Sequence, residues 1–370
     1  MARILYSLAQ EGRGHSSRGY EIIRRLAEKG HKIMVLTGGD TYEPLDTALN
    51  GMKNVSLRRL PGLRQIYGKG GRINYAKTAT RNFPLIISGD LIVKKLEELI
   101  SKYRFDFAIS DFEPFLPRAA KKAKLPFITI DNQHKIVFGK MNYDEIGPKH
   151  MASFLVTHGV VRLCHPLGNK CIIASVFKPR LRKKKFHNVE IIVVGPLIRG
   201  EVEKLRHKAT TGDFVLVYVK SVLEKIIVPL IKKVDDRFIM YVQDPSKYKE
   251  TKNVSFRQHS ADKFAEDLAR CKAVVSSAGE QLMAEALYLG KPLFSMPEGG
   301  TFEQIDNGYS VREAKVGDFK GIYEVEKADI EAFLSNLDDY RKRIAKMKIK
   351  NSIPDVMKII YSEMKANKID

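Results

Sequence analysis

A histidine in a glycine-containing turn near the amino terminus is the first residue whose surroundings suggest chemistry. Gly12, Arg13, Gly14 and His15 follow a short apolar segment and precede an amphipathic one. Glycines permit positive φ angles and close backbone approach, and a helix that starts after such a turn attracts anions. A neutral imidazole here could take a proton from an attacking hydroxyl group. We therefore interpret His15 as a candidate general base and the preceding residues as an acceptor or phosphate loop.

Carboxylates at the ends of two later strands are candidates to orient this histidine. Asp111 follows one predicted strand, and Asp131 and His134 follow the next. A carboxylate that accepts from one imidazole nitrogen fixes the tautomer and stabilises the protonated ring. We expect Asp111 to hold His15, with Asp131 and His134 as rival residues lining an acceptor site. Two alternatives stay open: His15 hydrogen-bonds only its own loop, and Asp111 caps a helix.

A second turn, in residues 273–304, has the composition of a diphosphate site. A predicted strand ends in small residues and a helix begins at once, so its free N–H groups and positive end can hold a diphosphate. The residues of this turn are Ser277, Ala278, Gly279 and Glu280. Glu285 lies six residues after Gly279, where its carboxylate can accept from ribose hydroxyls. Glu303 and Gln304 follow the next strand and can bind the hydroxyls of a sugar.

Two other strand ends belong to the same candidate site by their order in the chain. Lys220 and Ser221 follow the strand that opens the second half, and His259 follows a later one. Lys220 offers a positive charge near the phosphates. We include His259 as a candidate beside the base of a nucleotide.

Two series of alternating strands and helices must position these residues. In the first, we predict strands at 3–8, 31–37, 107–110, 127–131, 171–174 and 190–194 and helices at 17–29, 91–102 and 117–123. In the second, we predict strands at 214–218, 238–242, 253–257, 273–276 and 292–295 and helices at 222–233, 262–270 and 280–289. Such alternation indicates parallel sheets covered on both faces, with ligands in the cleft between two doubly wound domains.

The first predicted domain boundary lies at residues 195–196, where Gly and Pro interrupt the regular elements. The second lies where the end of the chain becomes helical and basic. Residues 1–195 form the first α/β domain and residues 196–340 the second. Residues 341–370 form a basic helical segment that can pack back on the first domain.

The net charge of +21 is concentrated in the first domain. Residues 1–195 contain 34 Lys and Arg against 16 Asp and Glu, which leaves only +3 for the rest of the chain. Residues 47–89 contain no acidic residue, and their cations are interleaved with Ile66, Tyr67, Ile73, Tyr75 and Phe83. This composition predicts a loop that rests on an anionic membrane or grips a phosphorylated acceptor. Nucleic acid is the less favoured partner because no nucleic-acid module accompanies the charge.

Other compositional features predict a cytoplasmic protein, with peripheral contact to the inner face of the membrane as its only lipid association. No apolar run reaches the roughly 20 residues of a membrane span. The amino terminus lacks the pattern of a signal peptide. The three cysteines have no metal or disulfide spacing. We expect no cofactor and no metal, because the phosphate turn lacks the acidic pairs that would hold Mg²⁺.

The segment 273–304 resembles the donor-binding region of GT-B glycosyltransferases, especially the MurG-like family 28 enzymes and the UDP-glucuronosyltransferase class. Gly279, Glu285, Glu303 and Gln304 match in order and spacing, and Gly12 to His15 resembles the acceptor loop of those families. The resemblance implies a GT-B architecture, with two Rossmann-like domains facing across a cleft, and an inverting, metal-independent transfer. This sequence differs from those families at Lys220 and its neighbours, where the families have a glycine-rich loop.

From these observations we predict a glycosyltransferase that moves a sugar from a nucleotide-sugar, with UDP as the expected nucleotide, to a hydroxyl acceptor. His15 is its general base, and the acceptor carries lipid or phosphate. Two alternatives are kept. One is a nucleotide-sugar epimerase of the same fold, and the other is a non-catalytic protein that binds sugar or nucleic acid on this scaffold.

Overall fold

Apolar runs in both halves of the chain form strands that are covered on both faces. In the segments Arg3–Leu8 and Phe127–Asp131 nearly every residue is buried. Parallel strands covered by helices on both sides need such continuous hydrophobicity, rather than an alternation of polar and apolar residues. In the computed structural model, the described residues are 1–68, 72–141, 143–258 and 260–369.

The first domain alternates strands and helices as its sequence predicts. Its elements are β1 (Arg3–Leu8), α1 (Arg13–Glu28), β2 (Lys32–Thr37), α2 (Gly39–Leu49), β3 (Val55–Arg59), α3 (Tyr75–Ile87), α4 (Gly89–Tyr103), β4 (Phe107–Asp111), α5 (Leu116–Lys122), β5 (Phe127–Asp131), α6 (Lys135–Phe138), α7 (Tyr143–Cys164), β6 (Lys170–Ala174), β7 (Lys185–Phe186) and β8 (Val189–Val194).

The second domain repeats this organisation, and three helices end the chain. The elements are α8 (Gly200–Leu205), β9 (Phe214–Tyr218), α9 (Glu224–Ile231), β10 (Arg237–Val242), β11 (Val254–Gln258), α10 (Ala261–Arg270), β12 (Ala273–Ser276), α11 (Glu280–Tyr288), β13 (Leu293–Ser295), α12 (Phe302–Glu313), β14 (Gly317–Phe319), α13 (Lys327–Ser335), α14 (Leu337–Met347) and α15 (Ile353–Ala366).

The order of the strands fixes where a ligand can bind. The first sheet has the order β3-β2-β1-β4-β5-β6-β8-β7, parallel except for β7 against β8, and the second is parallel in the order β11-β10-β9-β12-β13-β14. The order reverses between β1 and β4 and between β9 and β12, and doubly wound sheets bind ligands at such switch points. Helices α1 and α11, which follow β1 and β12, contact each other across the cleft. The predicted α/β class with two Rossmann-like domains is confirmed.

The carboxyl-terminal helices divide between the two domains. Ile360 of α15 is buried in the same core cluster as Ile22 of the first domain. Ile344 of α14 and the following Ile349 are buried with the core of the second domain. The structure therefore extends the second domain to about residue 349, whereas the predicted boundary at 340 would cut α14. Only α15 packs back on the first domain.

Several elements differ from their predicted positions. Helix α1 begins at Arg13 rather than at residue 17, with Gly12 at its N-cap (φ 82°). His15 therefore lies in the first turn of a helix and not in a loop. Residues 47–89, predicted as a loop, contain β3 and α3, and no element was predicted where α2 and α7 form.

Candidate active site

His15 and Asp111 meet at the switch point of the first sheet. Helix α1 carries His15 shortly after β1, and Asp111 is the last residue of the neighbouring strand β4. The His15 Nδ1 atom lies 2.8 Å from Asp111 Oδ1, and both residues are buried. The structure thus brings together the two residues that the sequence proposes as a base and the carboxylate that orients it.

Arg18, one helical turn after His15, completes this cluster. Its Nε atom donates to Asp111 Oδ2 at 2.7 Å, and its Nη2 atom donates to Oδ1. Burial opposes ionisation of Asp111, but the Arg18 charge, together with His15 and the hydrogen bonds from both residues, keeps the pKa of this carboxyl below its ordinary value. An ionised carboxylate only accepts, so the proton belongs on Nδ1 of His15 and Nε2 is the basic nitrogen. Arg18 Nη2 also lies 2.8 Å from Nδ1; with both atoms protonated, this contact is not a hydrogen bond.

Asp131 and His134 form a second buried pair. The His134 Nδ1 atom lies 2.6 Å from Asp131 Oδ2, and its Nε2 atom lies 3.3 Å from the carbonyl oxygen of His165. Both ring nitrogens of His134 therefore face protein acceptors, so neither is left to accept a proton from a substrate. Burial lowers the pKa of His165 to about 3, and its ring stacks on Phe112 at a centroid distance of 3.7 Å. This arrangement gives the second pair structural contacts, and its place in lining the acceptor site stays a prediction.

The predicted diphosphate turn lies against the start of α1. Ala278 has a φ of 58°, Gly279 is the N-cap of α11, and Glu280 is its first residue. A Cβ atom added to Gly14 would lie only 3.2 Å from the Cβ atom of Gln281, so Gly14 permits the close approach of the two helix starts. A Cβ atom at Gly279 would meet nothing within 4 Å. This open space lies before the free N–H groups of α11, as a diphosphate would require.

Lys220 lies at the second switch point, after β9. Its ammonium donates to Glu298 Oε2 at 2.9 Å and to the hydroxyl of Tyr67 at 2.6 Å. Burial opposes its charge, but Glu298 and Tyr67 raise the pKa of Lys220 above its ordinary value. Tyr67 comes from the first domain, as does Tyr75, whose hydroxyl donates to the Gly300 carbonyl at 2.8 Å. The segment predicted to contact a membrane therefore crosses the cleft at these two tyrosines.

Glu285 has protein partners at the place predicted for a ribose. Its carboxylate accepts two hydrogen bonds from Arg199, at 2.7 and 2.6 Å, and one from Gln281 at 2.7 Å. The residue is only 1% exposed. Glu285 thus ties α11 to the connection between the domains, and its contact with a ribose stays a prediction.

Glu303 and Gln304 lie at the start of α12 and face the first domain and the preceding loop. The Glu303 carboxylate accepts from the side-chain amides of Asn132 and Gln133, each at 3.0 Å. The Gln304 side-chain oxygen accepts from the Glu298 N–H at 2.8 Å. Glu303 therefore spans the two sides of the cleft at the predicted position of the sugar.

Buried polar atoms without a hydrogen-bond partner gather around this same place. Of the orphaned side-chain atoms in the described residues, six belong to strand ends and loops of the cleft: Asn132 Oδ1, Ser276 Oγ, Glu280 Oε2, Ser295 Oγ, Glu298 Oε1 and Thr301 Oγ1. Ser276 and Ser295 are register partners on β12 and β13. A buried polar group without a partner costs about 1–3 kcal/mol. A cluster of such groups fits a site for a ligand with many hydroxyls.

The remaining candidates have less informative surroundings. Ser221 is exposed in a short 3-10 turn, and Ser277 is partly buried. The backbone of Arg13 lies in α1, but its side chain is outside the described part of the structure, and so is all of His259.

Three residues of the cleft were missed by sequence reasoning. Arg18 lies three residues after His15, on the same face of α1. A helix predicted to begin at Arg13 would have placed the two side chains together. Lys135 and Arg199 bind partners far away in the chain, so no local pattern points to them.

The described residues offer neither a metal-binding cluster nor a membrane-spanning helix. They contain no group of three or more His, Cys, Asp or Glu side chains placed to hold a metal ion. No helix among them has the length and apolarity needed to cross a membrane.

Comparison with known proteins identifies the family and the fold of this chain. The model of the family described as "Glycosyl transferase family 1" matches residues 2–338. An uncharacterized glycosyltransferase of Methanosarcina acetivorans is 23% identical, over 93% of each chain. Among solved structures, the calicheamicin glycosyltransferase CalG4 has a TM-score of 0.69 at 15% identity, covering 99% of this chain and 98% of its own. Phytolacca americana UGT2, complexed with UDP-2-fluoro-glucose and pterostilbene, has a TM-score of 0.64 at 14% identity, covering 94% of each.

These structural likenesses show the GT-B glycosyltransferase fold, and the family model spans both domains and the cleft residues described above. The chain belongs to glycosyl transferase family 1.

Proposed function

We propose that this glycosyltransferase moves a sugar from a UDP-sugar to a hydroxyl acceptor, with His15 as the general base. The observation that carries the proposal is the His15–Asp111–Arg18 cluster on the first switch point, facing the start of α11 on the second. In this arrangement an acceptor hydroxyl enters from the side of the first domain. The diphosphate of the donor lies at Gly279, in front of the α11 N–H groups.

The reaction is a single displacement. Nε2 of His15 takes the proton of the acceptor hydroxyl as the oxygen bonds to the anomeric carbon. The bond from that carbon to the diphosphate breaks, and the nucleoside diphosphate leaves with the electron pair. Attack from the side opposite the leaving group inverts the anomeric centre. The helix N-terminus and nearby lysines stabilise the departing charge, so the scheme requires no metal.

Two further observations support a nucleotide-sugar as the donor. The orphaned Ser276, Ser295 and Thr301 hydroxyls offer partners for a sugar. Phytolacca americana UGT2, a structural neighbour, is complexed with a UDP-sugar analogue. The epimerase and the non-catalytic alternatives need no general base at the acceptor side, so the oriented His15 favours transfer.

A thermal-shift screen tests the donor. A ligand that binds only the folded state at 100 times its Kd stabilises it by about 2.7 kcal/mol. We expect UDP to raise the melting temperature and GDP, dTDP and ADP to have little effect. Gly279→Leu should abolish the UDP shift and lower the melting temperature of the free protein only slightly, because the side chain enters open space while leucine is a poorer N-cap than glycine.

The matched control is Gly159→Leu, which also enters open space but lies in α7. This variant should keep the full UDP shift. The donor hypothesis is wrong if no nucleoside diphosphate raises the melting temperature, or if both leucine variants respond like the wild type.

The acceptor side has an apolar face that fits a membrane. Nine of the eleven exposed large apolar residues in the described structure lie on α3, the start of α4 and α7, and all of these except Tyr75, which contacts the second domain, form one clustered group. The residues of this group are Phe83, Ile86, Ile87, Leu91, Leu155, Val156, Val160 and Leu163. Arg118 of α5 donates to the Leu163 carbonyl at 3.4 Å, and a Cβ atom on Gly89 would lie 3.5 Å from the ring of Phe115. The loop after Asp111 and helix α5 therefore join the two parts of this face.

Exposed cations flank these apolar residues. They include Lys77, Arg81, Lys94, Lys95, Lys121, Lys122 and Arg162. Apolar side chains surrounded by lysine and arginine suit an anionic bilayer, whereas the +18 balance of residues 1–195 disfavours pairing with a second copy. We therefore propose that the acceptor is a lipid-linked hydroxyl presented at an anionic membrane surface.

Vesicle flotation tests this surface. We expect binding to vesicles that contain phosphatidylglycerol, little binding to pure phosphatidylcholine, and loss of binding as salt rises. The double change Phe83→Ser and Ile87→Ser should reduce binding, because it removes two of the most exposed apolar side chains. Val222→Ser is the control, since Val222 is exposed on the second domain. Equal binding by the double variant would contradict the assigned face.

A further inference from the structure

A buried lysine from the first domain lies next to the diphosphate turn of the second. Lys135, the first residue of α6, is only 3% exposed. Its ammonium lies 2.8 Å from Asp306 Oδ2 and 2.5 Å from Asn307 Oδ1, both on α12. The amide of Asn307 in turn donates to the Ala278 carbonyl at 2.8 Å. One side chain therefore separates this cation from the turn that precedes α11.

The surroundings of this lysine are strongly acidic. Glu280, Glu303 and Asp306 all act on its charge, and together with the Asp306 hydrogen bond they raise the pKa of Lys135 despite its burial, which opposes the charge. Burial raises the pKa of Glu280, while the proximity of Lys135 lowers it. Three carboxylates repel a diphosphate, so a fixed cation is needed at this place if one is to bind.

The ammonium also has capacity for one more acceptor. A lysine has three N–H donors, and the hydrogen bonds to Asp306 and Asn307 account for two. We infer that Lys135 donates to the diphosphate of the donor and stabilises the leaving nucleoside diphosphate, a role supplied by the acceptor domain across the closed cleft. The inference rests on the proposed function, because it presupposes a nucleoside diphosphate at Gly279.

The role links chemistry to the relative position of the domains. Lys135 is linked to the turn, through Asn307, only when α6 of the first domain lies against α12 of the second, where Asp306 and Asn307 hold it. Closure of the two domains then brings the Lys135 ammonium to the leaving group as negative charge develops on it.

Isothermal titration calorimetry with UDP and with uridine tests this inference. Lys135→Met should weaken UDP binding at least about tenfold, because a charge-assisted hydrogen bond is lost. Uridine has no phosphate, so its affinity should stay within about twofold of the wild type. A purely structural role of the Lys135–Asp306 pair would weaken both ligands alike.

Two further variants keep the test interpretable if Lys135→Met folds poorly. Asp306→Asn removes the partner and keeps the cation, and UDP affinity should hold or increase. The double variant Lys135→Gln with Asp306→Asn removes both charges, so no buried charge is left alone. Relative to Asp306→Asn, it should lose at least about tenfold in UDP affinity and little in uridine affinity.

The outcomes separate this inference from the proposed function. If the wild type binds UDP but Lys135→Met and the double variant bind it equally well, the inference is wrong and the proposed function stands. An equal loss for UDP and uridine also overturns it. If the wild type binds no UDP, the UDP-sugar proposal fails and this inference fails with it.

Discussion

Replacing His15 with alanine is expected to lower the rate of sugar transfer at least about a hundredfold, with UDP binding within about twofold of the wild type. The imidazole is held by Asp111, so Nε2 is the only group assigned to take the acceptor proton. The proposed donor site lies at the start of α11 on the second domain, and the proposal assigns it no contact with His15. Loss of turnover without loss of donor binding is therefore the signature of a missing base.

The fold of this variant should survive because Asp111 keeps its other partner. Arg18 still pairs with the carboxylate through two hydrogen bonds, so no buried charge is stranded. Transfer is measured as acceptor-dependent release of UDP from the donor, and binding is measured by calorimetry.

His134→Gln is the matched control, because His134 also pairs with a buried aspartate. We expect this change to lower the melting temperature but to leave the turnover of the folded protein within about threefold of the wild type. If His15→Ala keeps the turnover of the wild type, His15 is not the general base. The same conclusion follows if His134→Gln loses as much turnover as His15→Ala.

Glu285→Ala is expected to lower the free energy of unfolding by about 3–5 kcal/mol, because it leaves Arg199 buried without its counter-charge. The guanidinium donates two hydrogen bonds to this carboxylate, and burial leaves few alternatives in water. Equilibrium denaturation with urea provides the measurement. A change below about 1 kcal/mol would mean that the pair contributes as little as an exposed one.

A double variant separates this structural role from contact with the ribose. Arg199→Met with Glu285→Leu replaces the ion pair by apolar side chains and should recover most of the lost stability. If Glu285 also binds the ribose, the double variant will be stable yet weak in binding both UDP and uridine. We expect this second result, since a carboxylate has more acceptor sites than Arg199 and Gln281 occupy.

The two predictions depend on different amounts of sequence information. The helix that carries Glu285 and its start after Gly279 follow from local signals, namely an apolar strand, small residues and then helical periodicity. The partner of Glu285 does not, because Arg199 lies 86 residues earlier in the chain. The sequence also predicts the wrong start for α1, at residue 17 rather than at Arg13. Ser16 and Ser17 are favoured caps, yet α1 begins at Arg13 and its N-cap is Gly12, which has no side chain to cap the helix.

The acid-free segment shows how the same composition can serve two environments. Its aromatic and basic residues predicted a membrane contact, but Tyr67 binds Lys220 and Tyr75 binds Gly300 across the cleft. Of the five apolar residues interleaved with cations in residues 47–89, Phe83 alone lies on the exposed face that we propose contacts the membrane. Amphipathic side chains suit both places, so only the path of the chain distinguishes them.

The sequence by itself determined the two doubly wound domains, the turn after β1 that leads to His15, the strand end that carries Asp111, and the glycine before α11. These features depend on hydrophobic period, glycine placement and strand order, which are local or repeat along the chain. Only the tertiary structure decided that Arg18 completes the His15 cluster, that Asn307 links Lys135 to the diphosphate turn and that Arg199 holds Glu285. Such contacts depend on how helices and domains pack, and packing brings together residues with no common local pattern.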